Sequence, residues 1–330
     1  MKIRPISTFA LRVRLRAEGK ANVRRRRRLE LAVPPSKVRV GAKSTQPMNA
    51  EVFVDIHPYA QIGHQVSSWL AGLLWARDLG LDYAGGKLSG DSKGVFRFSA
   101  FETEHLKNAK VIRLKAVGDE REGSALADLR AQIARAAFKN PQRALSFRLA
   151  LDPARWDQTR AQEQIREAVL GGYRGAELLD LESQPPYVAI HIRRGDVSGD
   201  YISAGINRWI PEEEYVALIR NLRLVPELAH WDIRVYAMGG AEDFALLQEA
   251  GAVLYLGGSR DSDLIALAAA RVLVLSPSSF SFTAALVSRS VILGRVSWWH
   301  HVPGDGRWVH VSPHWTFDVE AMSRALTVGR

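Results

Sequence analysis

The sequence predicts an α/β fold with two units, each built on a parallel β-sheet, that face a common cleft. From residue 187 to residue 294, apolar strand-like segments alternate with segments of helical periodicity. A separate strand, glycine-containing loop and helix occupy residues 51–80 and indicate a second unit of the same kind. Parallel strands require helical crossovers, and ligands of such folds tend to bind in the cleft between two units.

The first unit begins with the apolar strand-like segment EVFVDI at residues 51–56. Apolar side chains at helical spacing follow it, and Gly80 is well placed to end that helix. These apolar residues are Val66, Trp69, Leu70, Leu73 and Leu74. Residues 120–180 are rich in Ala, Arg, Glu and Leu, and they predict two helices that bridge to the second unit.

The second unit contains five predicted strands, YVAIHI, DIRVYAM, AVLYL, RVLVL and SVILG. The segments between them, PEEEYVALIRNLR, AEDFALLQEAG, SDLIALAAA and SFSFTAALVS, predict helices. This alternation predicts a doubly wound parallel sheet with right-handed crossovers. We therefore assign an amino-terminal α/β domain with its helical bridge to residues 50–182, and a carboxyl-terminal domain to residues 183–330.

The positive charge of the chain is concentrated at its amino terminus. Residues 1–50 carry 14 basic and two acidic residues, whereas the remaining 280 carry 31 basic and 33 acidic residues. Because Arg24–Arg28 repel one another and prolines follow, we expect residues 1–49 to be a disordered extension. The alternatives are a weak contact with anionic surfaces or nucleic acid, and a natural start at Met48. The body of the protein is not basic, so nucleic acid is not an expected partner for it.

Several classes of site and location are disfavoured by composition. The chain has no cysteine, which excludes disulfides, thiolate zinc sites and cysteine nucleophiles. No apolar stretch approaches the roughly 20 residues of a membrane span, and the first apolar residues are too few for a secretory signal. A cytoplasmic protein is therefore expected.

The most unusual strand end is His191–Asp196, HIRRGD, which follows the apolar segment YVAI. Adjacent side chains leave a strand on opposite sides, so one of Arg193 and Arg194 is expected to face the cleft and the other to be held by an internal carboxylate. Arginine has the fork geometry that suits phosphate oxygens, and Gly195 permits a tight turn. A structural Arg–Asp pair that caps the strand is the alternative.

Three further segments place polar groups at strand ends or helix starts. Residues 261–263, DSD, open a helix, either as an N-cap or with a carboxylate that accepts from a nucleobase. Residues 276–281, SPSSFS, precede a helix whose hydroxyls and N–H groups either bind an anion or cap the helix. In residues 61–65, QIGHQ, Gly63 lets the backbone approach a ligand, and His64 is either a functional or a structural histidine.

Together these groups suit a nucleoside diphosphate, because they combine a guanidinium, a helix amino terminus and a carboxylate. The chain has no Gly-rich Lys loop and no G-x-G-x-x-G after a strand, which disfavours ordinary ATP and NAD sites. We expect no cofactor and no metal. Arginine and backbone dipoles are instead expected to neutralise a phosphate leaving group.

The segment HIRRGD resembles the H-x-R-R-G/T-D element of the α1,2-, α1,6- and protein O-fucosyltransferases. Residues 61–65 resemble their glycine element, with His64 in place of the usual Asn, and residues 261–288 resemble their late motif, which is closest to the bacterial α1,2 group. The three blocks follow the family order within residues 51–293. The resemblance implies a GT-B-type fold of two Rossmann-like domains, and metal-independent, inverting transfer of fucose from GDP-fucose to a glycan hydroxyl.

Matched by position, the resemblance also implies roles for the residues of the HIRRGD segment. Arg193 would bind the donor diphosphate and stabilise its departure, and Arg194 would support the loop at the donor site. His191 and Asp263 would contact the guanosine part of the donor.

The late motif and the glycine element would complete the donor site. The resemblance implies that Ser278, Ser279 and the amides near Phe280 receive the phosphates. It also implies that Gly63 and Gln65 approach the donor from the facing domain.

The residue that removes the acceptor proton is less evident from the sequence. His64, Asp196 and Asp200 are the candidates for this general base. The late stretch SWWHHVPGDGRWVHVSPHW has aromatic rings that could stack on acceptor sugars. Its histidines are not expected to bind a metal, because Pro313 prevents one helix from presenting His310 and His314 together.

Three other functions stay open. One is transfer from a different nucleotide sugar. Another is nucleotide binding without catalysis, since residues 238–240, MGG, lack the acidic residue that the family usually places after this strand. The third is nucleic-acid binding through residues 1–49.

Overall fold

The computed structural model describes residues 49–56, 60–86, 88, 92–114, 124–149, 157–197, 202–203, 206–295, 300–303 and 306–328. Met48–Arg330 forms one compact unit with two large β-sheets. We call its described residues up to 183 the amino-terminal lobe and those from 184 the carboxyl-terminal lobe. The predicted extension at residues 1–49 lies outside the described residues apart from Asn49. Its disorder and the domain boundaries stay predictions.

The amino-terminal lobe contains a four-stranded sheet in the order β2-β1-β4-β3, in which all neighbouring strands are parallel. Its strands are β1 Ala50–Val54, β2 Asp82–Gly86, β3 Lys110–Leu114 and β4 Leu145–Leu149. The central strands β1 and β4 are almost wholly buried, as expected when helices cover both faces of a parallel sheet.

Strand β4 corrects the interpretation of residues 120–180 as two bridging helices. Both helices exist, but β4 lies between them in the chain and pairs with β1 and β3. Its sequence LSFRL alternates apolar and polar residues, which is a strand pattern too short to stand out among Ala- and Arg-rich neighbours. The first of the two helices is therefore a crossover within the first sheet.

The carboxyl-terminal lobe contains a six-stranded parallel sheet in the order β12-β11-β10-β5-β8-β9. Its strands are β5 Tyr187–Ile192, β8 Asp232–Ala237, β9 Ala252–Leu256, β10 Val272–Val274, β11 Val291–Arg295 and β12 Trp308–Val311. The short strands β6 Ile202–Ser203 and β7 Ile206–Asn207 pair antiparallel outside this sheet. All five predicted strands are present, and β12 adds a sixth from the late stretch SWWHHVPGDGRWVHVSPHW, for which no strand was predicted.

Along the chain, each described α-helix lies between two strands, except the last helix, which follows β12. They are α1 Ile62–Leu79, α2 Ser92–Val95, α3 Ser124–Lys139, α4 Gln162–Leu170, α5 Gly175–Ser183, α6 Glu212–Arg223, α7 Ala245–Glu249, α8 Arg260–Ala269, α9 Ser279–Val287 and α10 Val319–Val328. The four predicted crossovers of the second sheet are confirmed as α6 to α9. The predicted α/β fold with two parallel sheets, the second doubly wound, is therefore confirmed.

Helix α1 is buried on nearly all sides because elements of both lobes pack around it. It contacts β1 and β2 of its own lobe and α9 of the other lobe. Apolar residues such as Trp69, Leu70 and Trp75 fill these contacts, and each is fully buried. The helix ends at the predicted position, where Gly80 adopts φ of 68° and its N–H bonds to the carbonyl groups of the last turn.

Two apolar clusters build the core of this unit. The first extends from the amino-terminal sheet through α1 and α4 to one face of the second sheet. The second cluster covers the opposite face of the second sheet, under α6 and α10. Because the first cluster crosses both lobes, the packing of α1 against α9 determines where residues of one lobe meet the strand ends of the other.

Candidate functional site

The candidate site lies where the strand order of the second sheet reverses. The chain runs from β5 outward through β8 to β9, and then returns to β10 on the other side of β5. The carboxyl ends of β5 and β10 are therefore adjacent, although the chain winds outward from these two strands in opposite directions. This switch point is where ligands of open α/β sheets bind. It brings the HIRRGD segment next to the SPSSFS segment.

Arg193 follows β5 and directs its guanidinium toward the start of α9. Its Nη1 donates to Ser278 Oγ at 2.9 Å, and its Nη2 donates to Asp196 Oδ2 at 2.5 Å and to Gln61 Oε1 at 3.1 Å. The side chain is only 12% exposed, and its buried Nε–H has no acceptor. The guanidinium of Arg193 thus connects the loop after β5 with the start of α9 and with Gln61 of the other lobe.

Arg194 leaves the strand end on the other side, as predicted. Its guanidinium carbon lies 3.7 Å above the centre of the Trp209 ring, and its Nη2 donates to the Ile210 carbonyl at 2.8 Å. Its Nη1 donates to the carbonyl of Arg193 at 3.0 Å. The expected internal carboxylate is therefore replaced by an indole face and carbonyl oxygens, and burial lowers the pKa of Arg194. These contacts fix the loop that carries Arg193.

The amino terminus of α9 is built from serines with different tasks. Ser278 is the N-cap: its Oγ accepts from the Phe280 N–H at 3.3 Å as well as from Arg193. The buried Ser281 donates to the carbonyl groups of Ser276 and Ser278, which closes the turn. The positive end of the helix dipole therefore points into the same space as the Arg193 guanidinium, and both features favour an anion.

His191 lies at the end of β5 and faces the α9 side of the sheet. Its Nδ1 shares a hydrogen bond of 2.6 Å with Ser276 Oγ, and its ring lies 5.3 Å from that of Phe280. Burial, together with the charge of Arg193, lowers the pKa of His191 to about 3. The imidazole is therefore neutral at physiological pH, and it lines the site without adding charge.

Asp263 is not the N-cap of α8, because Ser259 takes that role by accepting from the Ser262 N–H at 3.1 Å. The Asp263 carboxylate instead lies against Gly258, where an added Cβ would come within 2.3 Å of its Oδ1. Burial raises the pKa of Asp263 to about 6. This carboxyl group lies near Tyr236 of β8, on which its charge acts.

The amino-terminal lobe meets the site through the start of α1. A Cβ on Gly63 would lie 2.5 Å from the Ser279 carbonyl carbon and 2.6 Å from the Phe280 nitrogen. Gly63 therefore allows α1 and α9 to touch backbone to backbone. Gln65 is buried, and its Nε2 donates to the Ala60 carbonyl at 2.5 Å. The structure thus places both residues in packing and loop contacts close to the predicted donor site.

His64 and a second histidine, His300, flank the first turn of α9. The Nε2 of His300 shares a hydrogen bond of 2.8 Å with Ser279 Oγ, and its ring stacks on Phe282 at 4.3 Å. Burial lowers the pKa of His300 to about 3, and the charges of His64 and Arg208 act in the same direction. Both His64 and the buried, neutral His300 therefore lie near the amino terminus of α9.

Comparison with known proteins yields structural matches but no sequence family. No protein-family model matches the chain, and no curated protein is significantly similar to it. A crystal structure of POFUT1, a protein O-fucosyltransferase, in complex with GDP is 15% identical, covers 75% of this chain and 97% of that chain, and gives a TM-score of 0.47. Two structures of POFUT1 in complex with GDP-fucose are each 14% identical; they cover 76% and 75% of this chain and 97% of their own, with TM-scores of 0.47 and 0.49.

The histidines of the late stretch do not come together. His300 bonds to Ser279, whereas the Nε2 of His310 contacts the Val302 carbonyl at 2.8 Å. Among the described residues, no group of three or more His, Asp or Glu side chains could hold a metal ion.

Throughout the residues that the structure describes, every helix is too short or too polar to cross a membrane.

Three residues of the site were not predicted from the sequence. Gln61 and Ser276 lie inside segments that we had singled out, but only the structure shows that their side chains contact Asp196, Arg193 and His191. No local sequence pattern indicated the role of His300, because its partner Ser279 is 21 residues away in the chain. Asp200, a candidate base, lies outside the described residues.

Proposed function

We propose that this protein is a glycosyltransferase that transfers fucose from GDP-fucose to a hydroxyl group of a glycan, with inversion and without a metal ion. The observation that carries the proposal is the buried guanidinium of Arg193 at the switch point, which donates to Ser278 at the amino terminus of α9. A guanidinium fork and a helix terminus together suit the oxygens of a diphosphate. The resemblance of HIRRGD and SPSSFS to fucosyltransferase motifs supports GDP-fucose as the donor.

In this reaction the acceptor oxygen bonds to the anomeric carbon while the bond from that carbon to the β-phosphate oxygen breaks. The electron pair of the broken bond stays on the β-phosphate, so negative charge grows there in the transition state. Arg193 is held at the site by Ser278 before the donor binds, so its guanidinium can stabilise that charge as it develops. The α9 dipole acts on the same charge.

Recognition of the nucleoside part is assigned to the α8 side of the site. The carboxylate of Asp263 would accept from the N–H groups of guanine, which is a pairing that carboxylates make with nucleobases. The neutral ring of His191 and the ring of Phe280 would bound the same pocket without repelling or attracting charge. Ser279 and the first N–H groups of α9 would receive phosphate oxygens.

A general base would help to remove the acceptor proton, and two described residues are the candidates for this role. Asp196 lies beside Arg193 with its carboxylate half exposed, and His64 lies on the facing lobe near the start of α9. Either would take the proton as the new bond forms. Of the two, Asp196 has the more direct connection to Arg193.

Titration calorimetry with GDP, UDP and ADP in the presence of EDTA tests the nucleotide, and a donor screen that follows release of free nucleoside diphosphate tests the reaction. We expect GDP to bind most tightly and GDP-fucose to release GDP when a glycan acceptor is added. Tighter binding of UDP or ADP would indicate another nucleotide sugar. The absence of nucleotide binding would refute the proposal.

A nucleotide-binding protein without transferase activity is the second candidate. It is favoured by residues 238–240, MGG, which follow β8 without an acidic side chain. Of the two acids that follow, Asp243 accepts from the Gly240 N–H at 2.9 Å, and the carboxylate of Glu242 lies against Gly240. GDP binding without release of GDP from any donor would favour this candidate over the transferase.

A further inference from the structure

Gln61 connects the amino-terminal lobe to both charged residues that follow β5. It directly precedes α1, and its side chain is exposed. Its Oε1 accepts from Arg193 Nη2 at 3.1 Å, while its Nε2 donates to Asp196 Oδ2 at 3.2 Å. One amide therefore satisfies a cation and an anion of the other lobe at the same time, which a carboxylate or an ammonium in its place could not do.

The two charged partners of Gln61 also contact each other. Arg193 Nη2 donates to Asp196 Oδ2 at 2.5 Å, so this one carboxylate oxygen receives hydrogen bonds from both Arg193 and Gln61. Arg193 has a separate support at Ser278, and its Nε remains without an acceptor. Asp196 is half exposed, and the bonds from Arg193 and Gln61 are what hold its carboxylate at the site.

A donor phosphate would change this balance. A diphosphate attracts the guanidinium of Arg193 more strongly than a single half-exposed carboxylate does, because it carries more charge and more acceptor oxygens. As the guanidinium turns toward the phosphate, the Arg193–Asp196 bond weakens. The bond from the Gln61 amide does not depend on the phosphate, so it persists.

We propose that Gln61 is a positioning residue that holds Asp196 at the site while the donor occupies Arg193. This inference rests on the proposed function and adds a residue of the facing lobe to it. Asp196, released from Arg193 but still held by Gln61, takes the proton of the acceptor hydroxyl. The acceptor oxygen bonds to the anomeric carbon. The bond from that carbon to the β-phosphate oxygen breaks, and its electron pair leaves with GDP.

Gln61→Ala is the test, with Gln248→Ala as a matched control at an exposed glutamine of α7. The Q61A variant should bind GDP within about twofold of wild type, because Ser278 still supports Arg193. Its kcat should fall about tenfold, the range expected from one hydrogen bond to a charged group felt in the transition state. The Q248A variant should match wild type in both measurements.

A double-mutant cycle separates positioning from a general structural effect. In an Asp196→Asn background, Gln61→Ala should change kcat less than twofold, because the residue that Gln61 holds has already lost its function. An equal loss of kcat in both backgrounds, or an unchanged kcat in Q61A, would overturn the proposal for Gln61. If the wild type binds no GDP and releases none from its donor, the proposed function fails as a whole. If the wild type binds GDP and turns over its donor but the kcat of Q61A is unchanged, only the role of Gln61 is refuted.

Discussion

Arg193 and Arg194 are neighbours in the chain with different environments. Both leave the end of β5, but Arg193 turns toward the α9 terminus, whereas Arg194 stacks on Trp209. Arg194 fills its hydrogen bonds with carbonyl groups of the loop, while Arg193 keeps one buried N–H without an acceptor. The difference supports the proposal that Arg193 binds the ligand and that Arg194 supports the loop.

Replacing Arg193 should have a large effect on turnover. We expect Arg193→Ala to lower kcat by roughly 10- to 150-fold, the equivalent of one charge-assisted hydrogen bond in the transition state. Arg193→Lys should recover little of it, because lysine lacks the planar fork. Steady-state assays of GDP release measure both variants, and an Arg193→Ala enzyme within twofold of wild type would contradict the assignment.

Replacing Asp263 with Asn should stabilise the ligand-free protein but weaken its binding of GDP. Burial raises its pKa to about 6, so the folded protein retains a proton that the unfolded chain releases near pH 4. Its contribution to stability therefore falls as the pH rises through this window. We expect Asp263→Asn to raise the melting temperature of the ligand-free protein at pH 7.5.

The same carboxylate should make GDP binding depend on pH. If guanine N–H groups donate to the charged form of Asp263, GDP affinity of the wild type rises between pH 5 and pH 7, and the Asn variant binds weakly at every pH. Calorimetry at three pH values measures this dependence. A wild-type affinity that does not change with pH would argue against a role in base recognition.

His300 should make the folded state sensitive to acid. Its folded pKa of about 3 lies below the value of the unfolded chain, so the unfolded state binds more protons below about pH 6.5. The free energy of unfolding then falls by about 1.4 kcal/mol per pH unit for this one group as the pH decreases toward 3. His300→Asn should be less stable at pH 7 but should show a shallower slope between pH 6 and pH 4.

Chemical denaturation at several pH values gives that slope. His230, an exposed histidine, supplies the control, and His230→Asn should follow the wild-type slope. Identical slopes for His300→Asn and wild type would show that His300 does not carry this acid sensitivity.

At the scale of elements, the crossing of α1 and α9 positions the site. The crossing is close because Gly63 has no side chain, and a Cβ there would meet backbone atoms of Ser279 and Phe280. Backbone cannot rotate away as a flexible side chain can, so the two helices would have to separate. Gln61 lies one residue before α1, and its reach to Arg193 depends on that crossing.

Gly63→Ala should therefore weaken both stability and activity. We expect a loss of about 1–3 kcal/mol in the free energy of unfolding, the usual cost of overpacking. Activity should fall further than folding alone explains, because the bonds of Gln61 lengthen. Gly171→Ala is the control, since its Cβ would lie 3.4 Å from the nearest atoms of Arg97 and Glu167. A Gly63→Ala protein as stable as this control would contradict the close crossing.

At the scale of the whole molecule, a shared core joins the sheets of the two lobes. The first apolar cluster includes residues of the amino-terminal sheet, of α1 and of one face of the second sheet. A site at the edge of such a core can use residues from both lobes without a flexible connection between them. Contact of the basic residues 1–49 with anionic surfaces stays a prediction from charge alone.

The fold was predictable where apolar periodicity was long enough to recognise. Strands β5 and β8 to β11 alternate with helices of clear pattern, so the doubly wound sheet followed from the sequence. Strands β2, β3, β4 and β12 were missed because glycine, charged or polar residues interrupt their short apolar pattern. The missed strands are nonetheless real parts of the two sheets, and β4 is central in the first.

By itself, the sequence determined that two α/β units exist and that HIRRGD and SPSSFS follow strands of one parallel sheet. That conclusion needs only local periodicity, because the carboxyl ends of parallel strands share one edge. Only the tertiary structure decided which arginine faces the site, that Gln61 reaches Asp196, and that His300 binds Ser279. Side-chain direction depends on packing between segments far apart in the chain, and local periodicity carries no information about that packing.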